Sequence, residues 1–407
     1  MFPHVLQSLV FLTSLCFCIH AEETDDAKRN TSAIIQSRGF LPEQHDILTN
    51  DGYVISMFRI VHPNSPGVEM KGKPILLMHP LLGESANWII NSAAGFVNES
   101  TDEVGNNLGF ELAKRGYDVW LGNVRGNVNA LKHKSLTTSD SRFWEFSFDE
   151  HSSIDLPAQV EFILNETGYS KVDYVGHSQG TMIMFALLSS NPEYSGMVDR
   201  FIALGPVAFM GHITSPLKYF MTSIPFKFYL SWFPGSFLPP DSILLPISRI
   251  ICPGSVTGKV CTNFLFLVCG YDGDQIEKER LPVIVAHAPA GTSKANMLHY
   301  LQGMDSKRFR MFDHGRSQNL ARYGTSEPPD YDLSRINHSK ISLIWGENDA
   351  LADPTDVQIL REHLTVKLAD DFKVPIKEWN HLDYLWARDA GKYVNTKVLE
   401  ILSRSDE

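Results

Sequence analysis

Gly176-His177-Ser178-Gln179-Gly180 sets a serine between two glycines, after the short run Val172-Asp173-Tyr174-Val175 and before the apolar stretch Thr181 to Leu188. The first run reads as a buried strand and the second as a buried helix. Strand, G-x-S-x-G and helix, in that order, make a sharp elbow that lifts the serine hydroxyl clear of the sheet. So tight a turn has no room for side chains two residues either side of the serine, hence the two glycines. The hydroxyl then stands at a helix N-terminus, where charge developing on an attacked carbonyl oxygen is stabilised. The chemistry this arrangement allows is nucleophilic attack on an acyl group.

A serine hydroxyl is a poor nucleophile at neutral pH. It needs a base within hydrogen-bond reach, and the base needs an orienting acid. Behind an elbow of this kind the chain order is serine, then acid, then histidine. Asp349 lies just past the run Lys340 to Trp345, and His381 just past Pro375 to Trp379. Those two are the expected acid and base. Residue pattern alone leaves Asp353 and Glu347 as rivals for the acid, and His287 and His299 for the base. Two backbone N–H groups must meet the oxyanion. One is expected from Gln179, the residue after the nucleophile. The other is expected from the loop His79-Pro80-Leu81; Pro80 has no N–H, so Leu81 is the candidate. No metal or cofactor enters this chemistry, and none is expected.

Several elements must position these groups. Tyr53 to Val61, Pro74 to Met78, Tyr117 to Leu121, Val172 to Val175, Val198 to Leu204, Lys340 to Trp345 and Pro375 to Trp379 read as strands. Leu108 to Arg115, Asp155 to Leu164, the stretch after Ser178 and Tyr393 to Leu402 read as helices. Alternating strands and helices indicate a doubly wound α/β sheet. From Val207 to Gly324 the rhythm breaks into aromatics and prolines. The expected organisation is therefore a core of residues 22–206 and 325–407, with residues 207–324 inserted as a cap or lid. Lys218 to Pro240 is the most apolar part of the insertion. It reads either as ordinary cap core or as a lid that covers the site and opens at a lipid surface.

The 407 residues suffice for one large α/β domain with an insertion, and a hydrophobic fraction of 43% suits a folded globule. A formal charge of −11 with no basic cluster excludes nucleic acid as a partner. Val5 to Cys18 is apolar and Glu22-Glu23 follows Ala21, the pattern of a signal peptide spanning residues 1–21. The run is short for a membrane anchor, and no transmembrane anchor is expected. Cleavage would leave Cys252, Cys261 and Cys269. In a secretory compartment two should pair; Cys252 and Cys261, separated by Pro253, Gly254 and Gly258, could close a small loop. Cys269, in the run from Phe264, reads as buried and free. Asn30, Asn98, Asn165 and Asn337 begin Asn-x-Ser/Thr sequons and are candidate glycosylation sites. Oligomeric state leaves no trace in the sequence.

Together these residues resemble the animal acid lipase family, which includes gastric and lysosomal acid lipases and their insect and nematode relatives. The resemblance runs from about Gly39 to the C-terminus. It is carried by Asn87-Trp88, Gly122-Asn123-Val124-Arg125-Gly126-Asn127, Phe143 to Glu150, Asp155-Leu156-Pro157-Ala158 and Gly176 to Thr181. Pro289 to Ser293, Asp349 to Pro354 and Asn380 to Tyr384 complete it. The resemblance implies an α/β-hydrolase fold with a large cap or lid insertion, and a triad of Ser178, Asp349 and His381. It also implies oxyanion donors at Leu81 and Gln179, and a Cys252–Cys261 disulfide with Cys269 free. Vertebrate members carry His-Gly-Leu where this chain has His79-Pro80-Leu81, and often Thr-Trp at Val128-Asn129. The expected function is acyl-enzyme hydrolysis of neutral lipid esters at a lipid–water interface, triacylglycerol first and steryl ester second. The expected location is extracellular or the lysosomal lumen. Two other readings are a secreted lipid-binding protein without catalysis, which would be free to lose the triad, and a soluble esterase or acyltransferase.

Overall fold

Pro74–Met78 is apolar throughout because it runs through the middle of a sheet covered on both faces. Its side chains alternate: Ile75 and Leu77 enter one apolar cluster, Leu76 and Met78 the other. The computed structural model describes residues 25–63, 72–93, 103–232, 235–238, 269–270 and 275–404. The expected signal peptide, residues 1–21, together with Asn98, Cys252, Cys261 and part of the stretch Lys218 to Pro240, lies outside them.

Nine strands form the main sheet: β1 (Leu41–Leu48), β2 (Tyr53–Val61), β3 (Pro74–Met78), β4 (Asp118–Leu121), β5 (Lys132–His133), β6 (Val172–His177), β7 (Val198–Leu204), β10 (Ile341–Trp345) and β11 (Asp370–Lys373). Along the sheet the order is β1-β2-β4-β3-β6-β7-β10-β11, with β5 paired to β2. The β1–β2 and β2–β4 pairs are antiparallel, and every pair from β4 through β11 is parallel. Two further strands, β8 (Ser236–Phe237) and β9 (Thr292–Ser293), pair with each other.

The helices are α1 (Thr31–Ser37), α2 (Leu108–Lys114), α3 (Leu156–Thr167), α4 (Gln179–Ser190), α5 (Leu217–Met221), α6 (Ile224–Trp232), α7 (Leu281–His287), α8 (Lys294–Ser306), α9 (Arg316–Tyr323), α10 (Pro354–His363), α11 (Asp383–Trp386) and α12 (Thr396–Ser403). On one face Leu156, Val160 and Ile163 of α3 and Met182, Ile183 and Phe185 of α4 pack with Leu76, Met78 and Tyr174. On the other, Phe110 and Leu112 of α2 and Val398 and Ile401 of α12 pack with Ile75, Leu77, Val175 and Ile202. Between β7 and β10 the chain adds no strand to the main sheet among the described residues; it contributes α5 to α9 and the β8–β9 pair.

One expected strand is displaced. Pro375 to Trp379 is not a strand; the edge strand is Asp370–Lys373, which ends two residues before Pro375. Its sequence Asp-Asp-Phe-Lys hides it from a hydrophobic reading, because an edge strand can carry charge on its open side. Trp379 is apolar for another reason: it is fully buried in the core beyond that strand. The antiparallel β1, with charged and polar residues on its outer face, also went without a hydrophobic signature.

Candidate active site

The β6–α4 turn holds Ser178 at φ 54°, ψ −114°, a conformation rare for a residue with a side chain. Two close approaches make it. A Cβ on Gly176 would lie 2.6 Å from the Gly180 carbonyl carbon, and one on Gly180 would lie 2.4 Å from the Met78 carbonyl oxygen. Both glycines are therefore required by contact, and the start of α4 is pressed against the end of β3. The Ser178 carbonyl accepts Thr181 N–H (2.8 Å) and the Thr181 hydroxyl (2.7 Å), which closes the first turn.

Ser178, His381 and Asp349 come together from three strand ends. Ser178 Oγ lies 2.7 Å from His381 Nε2. His381 Nδ1 lies 2.9 Å from each carboxylate oxygen of Asp349. In the tautomer this dictates, Nδ1–H donates to Asp349 and the serine hydroxyl donates to Nε2. Asp349 Oδ1 also accepts the N–H groups of Leu351 (3.0 Å) and Ala352 (2.7 Å), which fixes the plane of the carboxylate. All three residues are buried, Ser178 at 7% exposure, His381 at 4% and Asp349 at 1%. The Cys269 carbonyl accepts Ala350 N–H (3.3 Å) and His381 N–H (3.2 Å), tying the acid loop to the histidine loop. His177 donates from Nε2 to the His381 carbonyl (2.9 Å). Burial, then the neighbouring His381, holds the His177 pKa well below the ordinary range, so it stays neutral.

The rivals are placed elsewhere. Asp353 caps α10, its carboxylate accepting Thr355 N–H at 2.8 Å. Glu347 is half-exposed and pairs with Lys373. His287 is bound to Glu84 (2.7 Å) and the Asp26 carbonyl (2.9 Å). His299 stacks on Phe148 at 3.7 Å, and its two ring nitrogens contact Ser147 Oγ and the Arg310 carbonyl.

Gln179 is the first residue of α4, so its N–H has no acceptor within the helix. Leu81 sits in a turn closed by Gly83 N–H on the Pro80 carbonyl (2.9 Å). Among the described residues, no protein acceptor takes the N–H of either Leu81 or Gln179. The turn is braced from beneath by residues that single-residue reasoning passed over. Asn127 Nδ2 contacts His79 Nε2 (3.1 Å), the Gly83 carbonyl (3.3 Å) and Asn123 Oδ1 (2.9 Å). Asn123 Oδ1 accepts Ser85 N–H, and its own backbone is held by Gln159. His79 Nδ1–H donates to the Pro80 carbonyl (2.8 Å), and burial pushes its pKa down to about 4, so it is a neutral strut. Arg125, buried between these asparagines, binds Asp155 and Asp51 and lies 4.0 Å over the Tyr53 ring. Their only sequence signal was the run Gly122 to Asn127. Asn129, at one position that departs from vertebrate relatives, donates to Glu84 at 2.7 Å.

Cys269 is buried and bridges to no cysteine among the described residues. Asn30, Asn165 and Asn337 are exposed, as a glycan would require. The helix α6 leaves Ile224 83% and Trp232 69% exposed, with Phe228 stacked on Trp232 at 4.8 Å. No helix among the described residues is long and apolar enough to cross a membrane.

A mostly parallel sheet with the elbow at the end of β6, and with acid and histidine loops after later strands, defines an α/β hydrolase. The family described as "alpha/beta hydrolase fold" matches residues 73–387, and a "partial alpha/beta-hydrolase lipase region" matches residues 31–92. The chain is 37% identical over 383 residues to human lysosomal acid lipase/cholesteryl ester hydrolase, covering 93% of this chain and 92% of that protein. It is 36% identical over 380 residues to rat gastric triacylglycerol lipase, and 36% identical over 386 to the Caenorhabditis elegans lipase lipl-1, each covering 93% of this chain and 92% of the relative. The chain belongs to the acid lipase family of α/β hydrolases and is a carboxylic ester hydrolase.

Proposed function

We propose that this lipase hydrolyses neutral lipid esters, triacylglycerol first and steryl ester second, with Ser178 as nucleophile, His381 as general base and acid, and Asp349 as the orienting carboxylate. The observation that carries the roles is the continuous contact from Asp349 through His381 to Ser178 Oγ. His381 takes the serine proton as Oγ attacks the ester carbonyl. The N–H groups of Leu81 and Gln179 receive the oxyanion. His381 then gives its proton to the leaving alcohol, and water activated by the same histidine releases the fatty acid from the acyl-enzyme. The substrate classes are those named for the human and rat relatives.

Residues 207–324 act as a cap, and α6 as the part of it that meets lipid. Large apolar groups exposed side by side on a helix suit an interface better than water. Ser178 is 7% exposed, so the groups over it must move before a triacylglycerol can enter. The protein enters the secretory pathway, to the extracellular space or the lysosomal lumen; the apolar stretch from Val5 to Cys18 and the relatives' names support this. The Cys252–Cys261 bridge and glycans on the sequons follow from the same route.

The test is hydrolysis of triolein and cholesteryl oleate emulsions by the wild type and Ser178→Ala. The substitution should leave folding intact and lower kcat on the order of a million-fold. More than a few per cent residual activity in a clean preparation would overturn the triad. The ratio of the two rates orders the substrates; no hydrolysis of either emulsion would return the protein to the lipid-binding reading.

A further inference from the structure

The oxyanion donor Gln179 is held from outside the sheet. Its side chain is 2% exposed, and Oε1 accepts Asn296 Nδ2 at 2.9 Å and the Tyr300 hydroxyl at 3.3 Å. Asn296 and Tyr300 are four residues apart and share one face of α8. A long polar side chain at the first position of a helix ordinarily reaches into water; here it is buried and fastened to a helix from the segment between β7 and β10.

Asn296 is fixed in turn. Its N–H is accepted by Ser293 Oγ (2.8 Å), and its Nδ2 also donates to Thr292 Oγ1 (3.1 Å). Ser293 Oγ donates to the Phe146 carbonyl, which ties the start of α8 to the core. Asn296 is fully buried, and its Oδ1 meets no donor among the described residues. An unpaired buried amide oxygen is unfavourable, and an apolar side chain of the same shape would remove that penalty. The amide is therefore useful for its NH2, and the NH2 is spent on Gln179 and Thr292. Ser178 is held in a strained backbone conformation, and its ψ sets the direction of the Gln179 N–H, so that direction depends on restraints at both ends.

We infer that Asn296 is a positioning residue for the oxyanion hole. Through the Gln179 side chain it holds the Gln179 N–H on the line where the substrate oxygen becomes negative. The inference rests on the oxyanion role proposed above for Gln179. The same helix carries the lipid-facing element: Lys294 Nζ lies 4.1 Å over the Tyr229 ring, and Asp305 pairs with Lys227, both partners on α6.

The experiment uses a dissolved short-chain ester, so that the lipid surface plays no part. Asn296→Leu, close in volume, should lower kcat about 10- to 100-fold, because a donor displaced by a fraction of an ångström loses much of its worth in the transition state. KM should stay within about twofold, and inactivation by an alkyl phosphonate ester, whose oxygen occupies the same hole, should slow in parallel. Gln179→Ala, which keeps the N–H and loses the anchor, should show a similar loss. In that background Asn296→Leu should have less than about a twofold further effect. Tyr300→Phe, which removes only a hydroxyl, should fall between wild type and Asn296→Leu; it gives the same reading if Asn296→Leu does not fold. Additive losses, or a raised KM with kcat unchanged, would overturn the inference. A dead Ser178→Ala beside an unimpaired Asn296→Leu would remove this inference alone; an active Ser178→Ala would remove the triad beneath it.

Discussion

Replacing Glu150 by Gln should stabilise this protein at neutral pH and do nothing in acid. Asp149 and Glu150 start the helical stretch that leads through a π-helical turn at His151–Asp155 into α3. They line a cavity of about 430 Å³ together with His314, Tyr323 and Tyr331. Neither carboxyl pairs with a lysine or arginine among the described residues. Asp149 accepts the Tyr331 hydroxyl and Phe312 N–H, and Glu150 accepts Ser147 N–H at 2.7 Å. Burial, then the adjacent Asp149, pushes Glu150 from 4.5 up to about 7; burial pushes Asp149 up to about 6. A carboxyl raised in the folded state holds its proton there after the unfolded chain has released it. Between pH 4.5 and 7 the native state therefore binds more protons, and stability falls as pH rises. Glutamine cannot ionise and keeps the capping bond to Ser147.

At 1.36 kcal/mol per pH unit the full penalty on Glu150 is about 3 kcal/mol above pH 7. Access to the cavity leaves half of this, about 1.5 kcal/mol, by the screening expected of a partly wet site. For a chain of this size that is a rise in Tm of about 2 °C. Buried neutral histidines pull the other way: His79 at about 4, His299 at about 3, and His151 and His177 well below 6.5 all lose stability as pH falls. The profile of either protein alone therefore hides the effect, and the difference between them isolates it. Thermal unfolding of wild type and Glu150→Gln from about pH 4 to 8 should give curves that coincide near pH 4, diverge progressively between about pH 4.5 and 7, and keep a constant separation above. A gap that is constant over the whole range, or a less stable Glu150→Gln at pH 7.5, would refute the reasoning.

Asp349→Asn should reduce kcat about 10⁴-fold by removing the carboxylate that sets the His381 tautomer. Asp353→Asn should lose less than about 0.5 kcal/mol of stability and almost no activity, since Asn caps a helix as well as Asp does; rates and melting curves of the pair check both. Phe228→Ser with Trp232→Ser should weaken binding to lipid emulsions about 100-fold, at about 1.4 kcal/mol for each exposed ring. Hydrolysis of a dissolved ester should change by less than about threefold, and equal losses on both substrates would make these rings part of the cap core. Non-reducing peptide mapping should join Cys252 to Cys261, with about 2–3 kcal/mol of stabilisation from so short a loop; a bridge to Cys269 would contradict it.

What the sequence settled by itself is what depends on neighbours along the chain. Gly176, Ser178 and Gly180 are adjacent to the turn they make, so the elbow shows as spacing. Ile75 to Met78 and Val198 to Leu204 are apolar because the central strands are covered on both faces, and a run of such residues is visible anywhere. The order serine, acid, histidine follows from strand succession. Tertiary structure decided the rest. Asp349 and Asp353 follow the same strand within four residues of each other, and nothing local separates a carboxylate that faces a histidine from one that caps a helix. The edge strand at Asp370–Lys373 carries charge because one side of it is open, so its sequence does not look like a strand. Asn123, Asn127 and Asn296 reach Ser85, His79 and Gln179 across 38, 48 and 117 residues of chain. Periodicity records which side of an element is buried; it does not record which polar side chain will meet which once distant elements have packed, and a buried polar contact is set by that meeting.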